Sequence, residues 1–394
     1  MGNIKQVGVI ALALAAGALS SSAQPSKAAA PNYVEIANRI VGTSANVKEG
    51  DVVQIDGGPA DLPLMEELSL ACTQRGAFPF LTITTESLNK KWMVQSLPKY
   101  DTKVNGAALA LAKAVNVIIS IPSSRDDSIY AGFPGDRFAA VNKAYVPVYE
   151  TLLKRNVRQV NLDNGLAPSP SRAKALGIEE GEMSALYWSG LGADYAGVEA
   201  KGNAVKDLLA KAGELRITLP NGTDLKMKVK GRKITVSDGV ISDADVKAGG
   251  GAVLLYMPAG EVFVTPVPGT AEGKLVDDRL VIFGKEVLGI TADLKAGKIT
   301  AISAKSGWDA IKSLYDAMPA SKVEISSIDL GINPVVRSGG KLETYMGAGN
   351  VTIGTGGNEA LGGSIKDLGG LYFMLSGATI TLDGTTLVDK GVLK

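Results

Sequence analysis

The sequence predicts an α/β fold, with an N-terminal parallel α/β sheet domain followed by a β-rich α+β domain. In the first half, short apolar runs alternate with segments of helical apolar spacing, the rhythm of βαβ units. Beyond residue 213 that rhythm gives way to short, partly alternating strands separated by turn pairs, which reads as hairpins. At 45% hydrophobic residues in 394, the chain can bury a substantial core.

The first residues read as a secretory signal. Lys5 supplies the positive charge, Val7 to Leu19 is an apolar run too short for a membrane span, and Ser21-Ser22-Ala23 fits a small-x-small cleavage site. A short membrane anchor is the competing reading. The expected organisation is a signal peptide at 1–23, a flexible leader at 24–32, an α/β domain at 33–213 and a β-rich domain at 214–394. The mature protein is then secreted or periplasmic, with no membrane segment left.

Val52 to Ile55 reads as the first strand, ending in the turn Asp56-Gly57-Gly58-Pro59. Two adjacent glycines and a proline do not make the three-glycine dinucleotide fingerprint, so the turn is read as a plain strand-to-helix connection. Leu62 to Gln74 has helical spacing and Gly76 stops it. Phe78 to Thr84 is a second strand, Ala107 to Val115 a helix, and Val117 to Ile121 a buried strand. Asn142 to Arg155 is a helix, Val157 to Leu162 a strand, and Ala200 to Ala212 the last helix of this half. In the second half, strands are expected at Leu215–Leu219, Leu225–Val229, Val253–Met257, Leu280–Phe283, Val287–Leu294 and Ile299–Ala304, with a helix at Asp309–Met318.

Composition excludes several functions. Lys plus Arg number 41 and Asp plus Glu 40, a balance that gives no electrostatic reason for nucleic acid as a partner. The chain contains no His, which removes the imidazole base, the Ser-His-Asp triad and the commonest zinc ligand. Cys72, the one cysteine, falls on a helix and reads as a small buried hydrophobe.

Met257 to Phe263, MPAGEVF, followed by Thr265-Pro266-Val267, resembles the signature of the thermophilic metallo-aminopeptidases of the aminopeptidase T and aminopeptidase S type. Looser similarity runs through Lys48 to Val53, Gly76-Ala77, Glu272 to Lys274, Asp293 to Ser303 and Gly331-Ile332-Asn333-Pro334. The resemblance implies a homodimer and a site in which two divalent ions activate water for peptide hydrolysis. Of its five ligand positions, the first falls on Glu261. The others fall on Ser327, Asn350, Gly369 and Leu371, none of which is a carboxylate or imidazole.

Other acids in the region are Asp329, Glu343, Glu359 and Asp367. A carboxylate-only set would suit calcium, magnesium or manganese, but these four have no recognised spacing and read as solvated surface or turn acids. Glu261 is open to two readings, a surviving ligand or base, and a structural carboxylate bonded to backbone amides after the Pro258-Ala259-Gly260 turn. The glycines between Gly347 and Gly370 suggest tight turns and close backbone approach.

The expectation is an exported aminopeptidase-family protein without metal-dependent catalysis and with no resident cofactor, binding a peptide or small ligand in the old cleft. The alternatives are a working metallo-aminopeptidase with a divalent metal in a rearranged carboxylate site, and a structural protein of the envelope.

Overall fold

The computed structural model describes residues 31–122, 133–282, 285–336 and 344–394. The expected signal peptide and nearly all of the leader lie outside them. In chain order the first half contains α1 (Tyr33–Arg39), β1 (Val52–Gly57), α2 (Leu62–Thr73), β2 (Phe78–Ile83), α3 (Glu86–Gln95) and α4 (Gly106–Ala114). It continues through β3 (Val117–Ser120), α5 (Gly135–Lys154), β4 (Arg158–Asn161), α6 (Pro170–Leu176), α7 (Glu180–Leu191) and α8 (Tyr195–Lys211). The second half contains β5 (Glu214–Thr218), β6 (Asp224–Lys228), β7 (Ile234–Ser237), α9 (Asp243–Ala248), β8 (Leu254–Tyr256) and β9 (Glu261–Val264). The long hairpin β10 (Glu272–Ile282) and β11 (Lys285–Lys295) follows, then β12 (Lys298–Ser303), α10 (Trp308–Ala317), β13 (Ile325–Gly331) and β14 (Val351–Thr355). The chain closes with β15 (Tyr372–Met374), β16 (Thr379–Leu382), β17 (Thr385–Asp389) and β18 (Val392–Leu393).

The βαβ rhythm gives a parallel sheet of order β2-β1-β3-β4-β8. Helices cover both faces, as a parallel sheet requires. On one face Val53, Ile55, Ile119 and Val160 pack with Met65 and Leu68 of α2 and with α1 and α7. On the other, Val52, Phe80 and Ile118 meet Ala112, Val148 and Leu152 of α4 and α5. Helix α2 forms where the sequence places it: Leu64, Met65, Leu68, Ala71 and Cys72 are its buried stripe, and Gly76, with φ +75°, ends the turn beyond it. A buried ion pair ties this layer together. Arg158 Nη2 lies 2.6 Å from Asp51 Oδ2, and the same guanidinium donates to the carbonyls of Ala45 and Asn46.

The second half is antiparallel. One sheet runs β12-β11-β10-β6-β5-β16-β17-β18 and the other β15-β14-β13-β9-β7. Their apolar faces share one core, which includes Leu215, Ile217 and Leu225 from the first and Val262, Ile328 and Ile353 from the second. Helix α8 joins it through Val198, Val205 and Leu209. At Gly202 of that helix an added Cβ would stand 2.4 Å from Val236 Cγ1, so glycine sets how closely α8 approaches β7.

Two sequence expectations change. Helix α5 begins at Gly135 rather than near Asn142. Gly135 lies so close to α10 that a Cβ there would stand 2.7 Å from the Ser313 carbonyl oxygen. The segment near Leu254, expected among the antiparallel strands, instead completes the parallel sheet beside β4, with Tyr256 opposite Asn161. Met257 and Ala259 accompany it into the first core. The chain therefore crosses between the two cores more than once, and not only near Gly213.

Strand β2 is an edge of its sheet, and its neighbourhood is unusually apolar. Phe78 is 66% exposed, Trp92 57% and Val94 74%, and α3 buries no residue at all. Among the described residues no helix is long and apolar enough to cross a membrane.

Candidate functional site

The register of the five-stranded antiparallel sheet builds the site. Residues directly opposite in an antiparallel pair share a face. Gly331 faces Glu261 and Asp329 faces Phe263. Ser237 and Thr235 of β7 face the same two β9 residues, Glu261 and Phe263. Thr352 stands opposite Asp329, Gly354 opposite Ser327, and Tyr372 opposite Gly354. One face of this sheet thus carries Ser237, Glu261, Ser327, Asp329, Thr352 and Tyr372. The other carries Val236, Val262, Ile328, Leu330 and Ile353, which enter the core.

Part of the polar face lines a cleft of about 430 Å³. The opposite wall comes from the carboxyl ends of β4 and β8, where open α/β sheets commonly present ligand sites. The Asp163-Asn164-Gly165 turn follows β4, Tyr256 ends β8, and Tyr149 reaches in from α5. The segment from Gly357 to Leu368 closes the rim.

Glu261 is 2% exposed. Its Oε2 accepts a 2.8 Å hydrogen bond from Asn164 Nδ2, which also donates to the Pro258 carbonyl at 3.2 Å. Two acceptors therefore fix the Asn164 amide with its NH2 toward Glu261. The turn before Glu261 is held from the far side: Ile332 N donates to Gly260 O and Asn333 Nδ2 to Ala259 O. Gly260 has φ +134°, and a Cβ there would stand 2.6 Å from Asn333 Cβ, so the close approach requires glycine.

Asp329 lies one diagonal step from Glu261 on this face, and each carboxyl group acts on the other. Burial pushes Glu261 up to about 7, against the lowering effect of the bonds from Asp329 and Asn164. Burial, then the Glu261 charge, lifts Asp329 well above the usual carboxylate range. Two buried carboxyl groups in contact share a proton rather than both ionise. No Lys or Arg among the described residues acts on either.

The other cleft acids are already engaged. Asp163 pairs with Arg172 at 2.7 Å and accepts the N–H groups of Gly165 and Ala167. Glu359 pairs with Lys366 at 3.3 Å, and Asp367 accepts from Ser321 at 2.7 Å. Tyr149 has its hydroxyl pushed up to about 12, by burial first and then by Tyr372 and Glu359.

The structure separates the positions considered from sequence. Glu261 and Ser327 line the cleft. Asn350 does not; its side chain donates to the Thr344 carbonyl at 2.5 Å and shapes that loop. Leu371 points into the core. Gly369, with φ +111°, sits where its carbonyl oxygen would be 2.1 Å from a Cβ on Gly356. Asp329 is not a solvated acid but 6% exposed on a central strand. Glu359 and Asp367 are at the rim, and Glu343 lies outside the described residues. Glu261 finds side-chain partners, not the backbone amides considered for it. Asn164, Tyr149, Tyr256 and Tyr372 were not singled out; the one signal for Asn164 was its place in a turn after a buried parallel strand. Cys72 is buried with its thiol pushed up to about 12, chiefly by burial, outside the range of a thiolate nucleophile.

Residues 30–323 match the family described as Thermophilic metalloprotease (M29). The chain belongs to that family. The matched span includes Glu261 and ends before β13. No curated protein sequence matches the chain. Among solved structures, wild-type AmpT from Thermus thermophilus is similar at 18% identity, covering 92% of this chain and 98% of its own, with a TM-score of 0.69. A 2,5-dihydroxypyridine dioxygenase from Pseudomonas putida KT2440 is similar at 15% identity over 92% and 96%, with a TM-score of 0.56. Likeness at this level shows a shared fold.

The thermophilic metalloprotease family implies divalent metal, and the donor set of this cleft does not fit a two-metal centre. Among the described residues no group of three or more His, Cys, Asp or Glu side chains could hold a metal ion. The two carboxyl groups that lack a cation act on each other, and the nearest amide turns its N–H toward Glu261. Among the described residues, two dications would meet only two carboxyl groups not already paired elsewhere, Glu261 and Asp329, short of the charge and ligand count such a pair needs.

Proposed function

We propose that this protein is an exported, aminopeptidase-fold binding protein that no longer performs metal-dependent hydrolysis and holds a peptide or other small ligand in the cleft. The observation that carries the reading is the Glu261–Asp329 carboxyl pair. At the position where the family resemblance implies a metal ligand, Glu261 accepts a hydrogen bond from Asn164 and lies beside a second carboxyl group. With no imidazole anywhere in the chain, the histidine base and the usual transition-metal ligand are both wanting.

Elemental analysis of the purified protein, run beside leucyl-arylamide hydrolysis with zinc, cobalt or manganese added, tests it. The expected result is no stoichiometric metal and no turnover. Metal-bound turnover that disappears in Glu261→Gln would establish instead a working enzyme with a rearranged carboxylate site.

Export is supported by Lys5, the Val7 to Leu19 run and Ser21-Ser22-Ala23. The N-terminus of the mature protein from its host is expected near Gln24, and a cytoplasmic form retaining Met1 would refute it. A homodimer formed by a second copy against the β2–α3 surface completes the reading. An edge strand with exposed apolar side chains is self-complementary about a two-fold axis.

A further inference from the structure

The cleft has a charge pattern with a chemical meaning. Its floor carries Glu261 and Asp329, which meet no protein cation among the described residues. Asp329 Oδ1 has no hydrogen-bond partner, although the residue is 6% exposed and lines the cleft. A buried polar oxygen normally finds a donor, so this oxygen is placed for a donor that arrives with a ligand. The one cationic side chain among the described residues of the lining, Lys366, is held between Glu359 and Glu150. Aromatic rings stand around the floor: Tyr149, Tyr256, Phe263 and Tyr372. Tyr372 packs directly beside the floor, since a Cβ on Gly354 would touch both Ser327 Oγ and the Tyr372 ring.

We propose that the cleft binds a small organic ammonium ion that carries no carboxylate, its N–H donors on the Asp329–Glu261 pair and its alkyl body against the tyrosine rings. This rests on the reading of the cleft as a ligand site and adds the class of ligand. Three features give the selectivity. A protonated amine supplies up to three donors and a positive charge where the protein supplies neither. Aromatic faces attract an alkylammonium through the ring quadrupole. A zwitterion would bring a carboxylate into a cleft whose only lining cation among the described residues is already paired, leaving that charge unmet. The cavity volume suits a ligand of this size.

The test uses the purified full chain and n-hexylamine as probe, with 1-hexanol, 6-aminohexanoate and calcium or magnesium chloride as comparisons, read by titration calorimetry and thermal shift. Hexylamine is expected to bind saturably and at least about 10-fold more tightly than hexanol or 6-aminohexanoate. Asp329→Asn and Tyr372→Ala are each expected to weaken it by about 10-fold or more. Asp329→Asn is nearly isosteric, and an unchanged circular dichroism spectrum separates loss of binding from loss of fold. Equal binding of hexanol would overturn the ammonium assignment while leaving a ligand-binding cleft. Binding of calcium or magnesium that depends on Asp329, with none of hexylamine, would overturn it in favour of a hard-cation site. Metal-dependent peptide hydrolysis in the same preparation would instead overturn the binding-protein reading itself.

Discussion

Glu261 and Asp329 come from adjacent antiparallel strands, offset by one diagonal step, and meet on the polar face of a sheet whose other face is core. Asn164, from the parallel sheet, reaches across to Glu261 at 2.8 Å. The contact joins the two sheet systems at the floor of the cleft, and it engages Glu261, the residue that the family resemblance implies as a metal ligand.

On the reading proposed above, a neutral amide at Glu261 should therefore register in stability rather than in activity. Glu261→Gln keeps the volume, leaves an oxygen for Asn164 and provides an N–H for Asp329. Because a buried carboxyl group without a cationic partner is replaced, the variant is expected to match or exceed wild-type stability by about 1 kcal/mol at pH 8. Urea unfolding of both proteins measures this; a loss above about 2 kcal/mol would mean that the carboxylate is itself a stabilising element.

Asp238 gives a pH dependence. Burial lifts its carboxyl to about 6, with Asp245 and Glu199 adding to the shift and the Val240 N–H opposing it. The folded state thus holds this proton more tightly than the unfolded chain. The contribution to stability is full below the ordinary value near 3.8 and is lost as pH rises through about 6. Asp238→Asn should remove this part of the slope, roughly 1–3 kcal/mol between pH 4 and pH 7. Denaturation curves across that range, compared between wild type and variant, provide the check; parallel slopes would show that Asp238 is not the titrating group.

Arg158 is the cation of a buried pair and also donates to two backbone carbonyls. Arg158→Met should cost about 3–5 kcal/mol, because Asp51 is left as an unmatched buried charge. The melting temperature should fall accordingly. A drop of only a degree or two would mean that water reaches Asp51.

Gly356 combines φ +85° with a Cβ position 2.1 Å from the Gly369 carbonyl oxygen. Backbone would have to move to admit a methyl group. Gly356→Ala is expected to lose at least about 2 kcal/mol and to loosen the rim that carries Glu359 and Lys366. Proteolysis between Gly357 and Gly370 should accelerate, and an unchanged cleavage pattern would contradict the close approach.

The β2–α3 surface predicts the oligomer. Light scattering at micromolar concentration should report a dimer for wild type and a monomer for Trp92→Glu combined with Val94→Lys. Both side chains are exposed, so the monomeric variant should keep its core. A wild-type monomer would remove the proposed contact.

Much of the fold was legible because buried stripes leave a period. Strands β1, β3 and β4 and helix α2 fall within a residue or two of where apolar spacing puts them. Strands β9 and β13 were harder. Ser327-Ile328-Asp329-Leu330 alternates like a half-solvated strand, and alternation alone cannot tell a face turned to water from one turned into a cleft. Asp329, with no recognised ligand spacing to its neighbouring acids, therefore reads from sequence as a solvated acid. Asn164 shows a different limit: its role depends on a partner 97 positions away in the chain, which no local pattern encodes. The glycines between Gly347 and Gly370 announced close backbone contacts, but which strands they brought together could not be read from the sequence.

The strand Leu254–Tyr256 has a consequence for how the chain is made. It is the last member of a sheet begun at Val52, so roughly two hundred residues must emerge before the first layer has both its edges and its full apolar complement. A nascent or translocating chain stopped near residue 213 would keep β4 as a raw edge and leave the hydrophobic neighbours of Leu255 and Met257 uncovered. Such long-range closure slows folding. For the exported protein proposed above, that slowness would be protective, since the first layer could not lock into shape before most of the chain had been made.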